Sequence, residues 1–196
     1  DLQLDDRDRL WIATGNGLDL YDHGAFSYFN VEDGLINKTI RALLKDRTGN
    51  LWIGSEGGLS RYDPESFTNF VPGVDLPFRI TRASASDGQN GLWIGSENGL
   101  SHFDGRKFTH FTPRDGLQPG DVWSMLQDKS GNVWVGTDAG LSHYDGEKFT
   151  NYDTDDGLVW NWVTALFEDR DGDIWIGTYN GLQRYDGRKF HLFTVE

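Results

Sequence analysis

A tryptophan recurs every 41 residues along this chain, at Trp11, Trp52, Trp93, Trp134 and Trp175. The text around each one recurs too: LWIATGNGLDLYD, LWIGSEGGLSRYD, LWIGSENGLSHFD, VWVGTDAGLSHYD and IWIGTYNGLQRYD. A fixed period of this length, built on short strand-like runs, restricts the chain to a repeat architecture. In such a fold each copy buries its apolar surface against its neighbours. The period sets five units, at residues 1–33, 34–74, 75–115, 116–156 and 157–196.

The unit from Gly34 to Val74 shows what one copy is. GLINKT reads as a loop, and IRALLKD as an apolar strand ending at the turn DRTGN. LWIGSEG, GLSRYD and SFTNF then read as three further short strands. Four strands joined by loops of a few residues make one up-and-down antiparallel sheet. Asp46, Asp128 and Asp169 each stand three residues before a glycine, which suits a type I turn with a bulge. Asp-Gly pairs and the Asn-Gly or Gly-Gly pairs supply the other two turns. Leu59, Arg61 and Asp63 alternate with Ser60 and Tyr62 across the two faces of the third strand. One such sheet cannot cover both of its faces, so sheets must stack. The expected fold is therefore all-β: a five-bladed β-propeller with four antiparallel strands per blade. The first unit lacks its lead-in loop, so the seam between the fifth and first blades is expected to close by packing alone.

Composition agrees. Aromatic residues make up 14% of the chain and there are 25 glycines, as many short strands and tight turns require. The net charge of −13 argues against nucleic acid and anionic membrane surfaces, which need a basic face. There is no cysteine, so stability must come from packing. No apolar run approaches the ~20 residues of a membrane helix. The chain opens on Asp1, without an initiator methionine or a signal peptide, which reads as a processed or cut start.

The pattern LWIGT-x-x-GL-x-RYDG-x-x-F, followed by DGL and V-x-AL-x-D-x-x-G, closely resembles the two-component regulator propeller repeat. The resemblance runs through all five copies, and IWIGTYNGLQRYDGRKF in the last is nearly the family pattern. It implies a ligand-binding sensor module of an extracellular or periplasmic receptor, in a family many of whose members detect oligosaccharides. It also implies an output domain outside this chain.

Departures from the repeat point to the site. In an up-and-down blade the lead-in loop and the turn between the second and third strands lie at one end. At matched positions of that end the units carry Asn37, Phe78, Pro119 and Trp160, then Lys38, Arg79, Gly120 and Asn161, then Thr39, Ile80, Asp121 and Trp162. Trp123 stands a little further on, where other units have Arg41, Arg82 and Thr164. Positions that vary while the frame holds are free of shared packing duty. The three tryptophans outside the frame all fall here, and indole faces suit the apolar faces of sugars. The expected ligand-binding set is Phe78, Arg79, Asp121, Trp123, Trp160, Asn161, Trp162 and Tyr179. Plugging of the axis, sealing of the first blade and a subunit interface are the competing uses of the same aromatics.

No cofactor, metal or catalytic residue is expected. DRDGD lacks the spacing and terminal glutamate of a calcium loop, and the equivalent turns DRTGN and DKSGN do without its extra aspartates. His102 and His143 replace Arg61 and Arg184, which reads as a solvated strand position. A glycosidase would need two carboxyls flanking the scissile bond. Asp121 with Glu97 or Asp138 is the one such pairing the sequence offers, and the last two read as turn residues. The sequence therefore points to a non-catalytic sensor propeller for a carbohydrate or other small ligand. An engineered or structural repeat without a ligand is the alternative, and a glycosidase comes third.

Overall fold

The computed structural model describes residues 1–89 and 91–193. Asn90 and the last three residues of the fifth unit, 194–196, lie outside the described residues. Five four-stranded antiparallel sheets follow one another along the chain, each made of consecutive strands. The first holds β1 (Leu2–Leu4), β2 (Leu10–Thr14), β3 (Gly17–Asp22) and β4 (Ala25–Phe29). The second holds β5 (Ile40–Lys45), β6 (Leu51–Ser55), β7 (Gly58–Tyr62) and β8 (Phe67–Phe70). The third holds β9 (Thr81–Ser86), β10 (Leu92–Ser96), β11 (Gly99–Phe103) and β12 (Phe108–Phe111). The fourth holds β13 (Val122–Gln127), β14 (Val133–Thr137), β15 (Leu141–Tyr144) and β16 (Phe149–Tyr152). The fifth holds β17 (Val163–Glu168), β18 (Ile174–Thr178), β19 (Gly181–Tyr185) and β20 (Phe190–Phe193). These are the expected four-stranded propeller blades. Two capped 3₁₀ turns, Val31–Asp33 and Pro113–Asp115, were not legible in the sequence.

The chain divides into an amino-terminal body, Asp1–Ile94 with His102–Thr109, and a carboxy-terminal body, Gly95–Ser101 with His110–Glu196. In the amino-terminal body, Trp11, Leu18 and Leu20 of the first sheet pack on Leu35, Ile40 and Ile53 of the second. Trp52 and Leu59 then pack on Leu76, Leu92 and Ile94. In the carboxy-terminal body Trp134 and Leu141 pack on Leu158, Val163, Ile174 and Ile176. One rule covers all three interfaces. The face bearing the frame tryptophan covers the opposite face of the next sheet, together with a leucine from that sheet's lead-in loop.

A carboxylate holds the frame indole in four of the five units. The turn aspartate six residues upstream accepts the indole N–H: Asp5 from Trp11 at 3.2 Å, Asp46 from Trp52 at 2.8 Å, Asp128 from Trp134 at 3.0 Å and Asp169 from Trp175 at 2.8 Å. The same carboxyl organises its turn; Asp46 also accepts the backbone N–H of Thr48 and of Asn50, each at 2.9 Å. Burial pushes the Asp46 carboxyl up, but hydrogen bonds from Thr48, Trp52 and Asn50 outweigh it and hold the group below its usual range. Asp169 spends one oxygen on Asp171 and Asp173 amides and the other on Trp175, so DRDGD is a turn clamp. In the third unit Asp87 engages His102 Nε2 at 3.1 Å instead.

The histidine reading needs correction. His102 and His143 are half-buried, not solvated: His102 stacks on Trp93 at 4.2 Å, and His143 meets Trp134 at 4.3 Å with a tilt of 37°. Trp134 and His143 are cross-strand partners, as are Trp52 and Arg61. The Arg61 guanidinium lies 5.7 Å from the Trp52 ring centroid. Histidine and arginine both supply a flat or cationic group over an indole face, whereas Leu20 takes the equivalent position opposite Trp11.

Candidate functional site

Three of the five sheets carry an irregularity at the end opposite the clamped turns. In the second, fourth and fifth sheets the first strand breaks register at Arg41, Trp123 and Thr164, each skipped in the pairing with its neighbour. A bulge of this kind turns the extra residue out of the ladder and re-aims its side chain. All three are exposed. The position occupied by Trp123 is thus a display site built into the blade.

In the carboxy-terminal body three expected site residues come together. The Trp123 and Trp162 ring centroids lie 5.3 Å apart at 56°, and Trp162 stacks on Tyr179 at 5.5 Å and 14°. The Tyr179 backbone N–H donates to the Trp162 carbonyl at 3.1 Å, tying the turn before β19 to the lead-in loop. Tyr179 is 75% exposed and Trp123 is 36% exposed. Trp162 lies between them, half-buried, and its indole N–H is shielded from solvent with no acceptor among the described residues. A buried donor left without a partner costs about 1–3 kcal/mol. The result is a continuous strip of two indoles and a phenol with its outer members open.

The other expected residues sit differently. Trp160 is 47% exposed and stacks on no ring among the described residues. The Asn161 carbonyl oxygen accepts the Thr154 N–H at 2.9 Å, so its side chain braces its own loop. Asp121, at the foot of β13, donates its backbone N–H to Asp138 Oδ1 at 3.1 Å. The preceding Gly120 has φ +106°, and a Cβ there would meet Asp138 Oδ1 at 1.9 Å, so only glycine fits. Asp138 is therefore a loop brace, in keeping with its reading as a turn residue. Phe78 is half-buried and Arg79 exposed in the matching loop of the amino-terminal body. At the next position along the first strand of the second sheet, Arg41 pairs with Glu56.

Sequence reasoning found the aromatics but missed the bulge that displays Trp123. The available signal was the run Arg41, Arg82, Trp123, Thr164: a position that keeps no chemical character between strongly apolar neighbours.

The fold and this strip define a β-propeller repeat module with an aromatic surface at its lead-in-loop end. Residues 34–57, 116–139 and 155–180 match the two component regulator propeller family. No curated protein matches the chain. Among solved structures it resembles a B. thetaiotaomicron extracellular domain described as part of a hybrid two component system, with 24% identity and TM-score 0.80. That alignment covers 93% of this chain and 26% of the other. A second extracellular domain of that description, from the same organism, aligns at 19% identity and TM-score 0.60, over 98% of this chain and 33% of the other. Virginiamycin B lyase from Staphylococcus aureus aligns at 10% identity and TM-score 0.81, over 99% of this chain and 69% of the enzyme. At these identities the likeness is one of fold. The chain spans about a quarter to a third of the length of the two B. thetaiotaomicron domains.

Proposed function

We propose that this chain is a non-catalytic ligand-binding propeller module of a sensor. Its recognition surface is the strip Trp123, Trp162 and Tyr179, and its ligand is a carbohydrate or another small molecule with an apolar face. The observation that carries this reading is the strip's geometry. Two large rings are held by a bulge and a stacked neighbour, yet stay open, whereas four of the five frame tryptophans are sealed between sheets. Aromatic faces gain most from burying the axial C–H surface of a sugar ring, and edge groups add hydrogen bonds. Trp160 and Asp121 flank the strip in sequence, and Asn161 shapes its loop. Phe78 and Arg79 form a matching pair to be tested separately. The repeat family and the extracellular domains with the same fold support a sensor placed outside the cytoplasm, with the output step in a domain beyond these residues. Among the described residues no helix is long and apolar enough to cross a membrane.

The test is a titration of intrinsic tryptophan emission with a panel of oligosaccharides, using wild type, Trp123→Ala and Tyr179→Ala. Saturable quenching that weakens at least about tenfold in either variant, worth about 1.4 kcal/mol, is expected. A flat response across the panel in the wild type would sink the carbohydrate reading.

A further inference from the structure

One ring pair recurs from unit to unit. Phe29 meets Tyr62 at 5.8 Å between ring centroids, Phe70 meets Phe103 at 6.3 Å, and Phe111 meets Tyr144 at 5.3 Å. The fourth pair is Tyr152 with Tyr185 at 5.6 Å, and in it alone both rings carry a hydroxyl. The added hydroxyl changes what its partner does. Tyr62 and Tyr144 each donate to a carbonyl of their own turn, Pro64 at 3.5 Å and Gly146 at 2.8 Å. Tyr185 instead faces the Tyr152 hydroxyl, at 3.5 Å. Among the described residues that contact is the one hydrogen bond either hydroxyl makes, so one phenol proton is left without an acceptor there. Burial, reinforced by Tyr185, pushes the Tyr152 phenol up, so it stays a donor through the neutral range.

Tyr152 and Tyr185 line two clefts at once, both within the carboxy-terminal body. One, of about 260 Å³, lies at the Asp-turn end between the fourth and fifth sheets and is also lined by Trp134, His143 and Asn132. The other, of about 320 Å³, is also lined by Arg188, Lys189 and Phe190. The His143 ring makes no hydrogen bond among the described residues. Burial lowers its pKa, so near neutral pH the imidazole offers one donor and one acceptor. The carboxylates of the two clefts are already engaged. Asp128 accepts its turn amides and the Trp134 indole, and Asp156 accepts the Asp153 N–H at 3.1 Å. Arg188 and Lys189 are exposed and make no ion pair among the described residues. One cleft thus offers aromatic faces with spare hydrogen-bonding groups, and the other adds spare positive charge.

We propose that these joined clefts are a second binding site, separate from the aromatic strip, and that its ligand is a small aromatic carboxylate. The ring of the ligand packs against Tyr152, Tyr185 and the His143 edge, where apolar burial and ring contacts favour it. A polar atom on the ligand takes the spare phenol proton. The carboxylate reaches Arg188 and Lys189, whose charges are not otherwise paired, and a guanidinium fork suits its two oxygens. Phenylalanine stands where Tyr152 does in the four other units, at Phe29, Phe70, Phe111 and Phe193. The frame packs without that hydroxyl, which leaves it available for recognition.

Titration with 2-naphthoate and its uncharged analogue 2-naphthamide, followed by amide NMR shifts, tests it. In the wild type, naphthoate should shift the amides of Tyr152, Tyr185, Arg188 and Lys189 saturably and bind more tightly than naphthamide. Tyr152→Phe installs the residue of the other units, so it should melt as the wild type does while naphthoate binding weakens about fivefold. Arg188→Ala combined with Lys189→Ala changes two exposed side chains. It should weaken naphthoate and leave naphthamide as it was. No shift at these four amides up to about 10 mM naphthoate would overturn the proposal. So would equal binding of the acid and the amide, or a Tyr152→Phe variant that binds as the wild type does. The site shares no residue with Trp123, Trp162 and Tyr179, so this result and the oligosaccharide titration can each fail alone.

Discussion

The two ends of each blade are built from the same strands but follow opposite rules. At the Asp-turn end, one carboxylate serves both the turn and the frame indole. Asp46, Asp128 and Asp169 do this alike, and only the third unit departs, with Asp87 engaging His102. At the lead-in-loop end the first strand bulges, and the displayed residue is arginine, tryptophan or threonine. One end fixes where the strands go, and the other is free to differ because nothing in the frame depends on it. Tryptophan plays both parts: Trp134 is 4% exposed and clamped, whereas Trp123 is 36% exposed and meets Trp162 at a tilt.

The sharpest way to break this contrast is to truncate a ring at each end. Trp134→Ala should cost about 3–5 kcal/mol of stability, because it opens a cavity between the fourth and fifth sheets. Tyr179→Ala should stay within about 0.5 kcal/mol, as an exposed ring does. Urea unfolding at constant m-value measures both, and similar costs would erase the distinction between frame and display. Next in size is the clamp itself. Asp46→Ala leaves the Trp52 N–H and the turn amides of Thr48 and Asn50 without their acceptor, which should cost about 1–3 kcal/mol in the same assay.

The histidine over Trp134 should make stability depend on pH. Burial lowers the His143 pKa from its usual 6.5, against the pull of Asp128 and Asp145. The unfolded chain then binds the extra proton more readily, so this contribution is present above about pH 6.5 and is lost as pH falls below it. His143→Arg, the residue found at the equivalent positions of the second and fifth units, should reduce the loss of melting temperature between pH 8 and pH 5.5. His110, whose pKa burial also lowers, would keep part of it. The smallest effect is expected at Trp162→Phe. It keeps a ring between Trp123 and Tyr179 but deletes the donor without an acceptor, so stability should be unchanged or rise by about 1 kcal/mol.

Much of this was legible because a repeat states its own rules five times. The 41-residue period placed every strand, and the Asp-x-x-Gly spacing placed the turns. The indole clamp was legible in principle, since an aspartate stands six residues before each frame tryptophan, but a spacing within one turn does not say which way the carboxyl points. His143 was misread because the sequence shows what replaces it, arginine, and not what it touches, an indole across the strand pair. The aromatics of the site stood out as breaks in the pattern. Their grouping did not, because Trp123 meets Trp162 at a register shift whose one mark is the changing residue type at Arg41, Arg82, Trp123 and Thr164. Asn161 looked like a ligand group, and it is held by its own loop.

The most direct measurement is thermal unfolding of the wild type and of a Trp123→Ala, Tyr179→Ala double variant, each with and without the oligosaccharide panel. If the strip is a recognition surface, the two proteins should melt within a few degrees of each other without ligand, and only the wild type should be raised by a bound sugar. A double variant that melts far lower without ligand would contradict this, and so would a sugar that stabilises both proteins alike. The first outcome would assign the aromatics to packing, and the second would place the binding surface elsewhere.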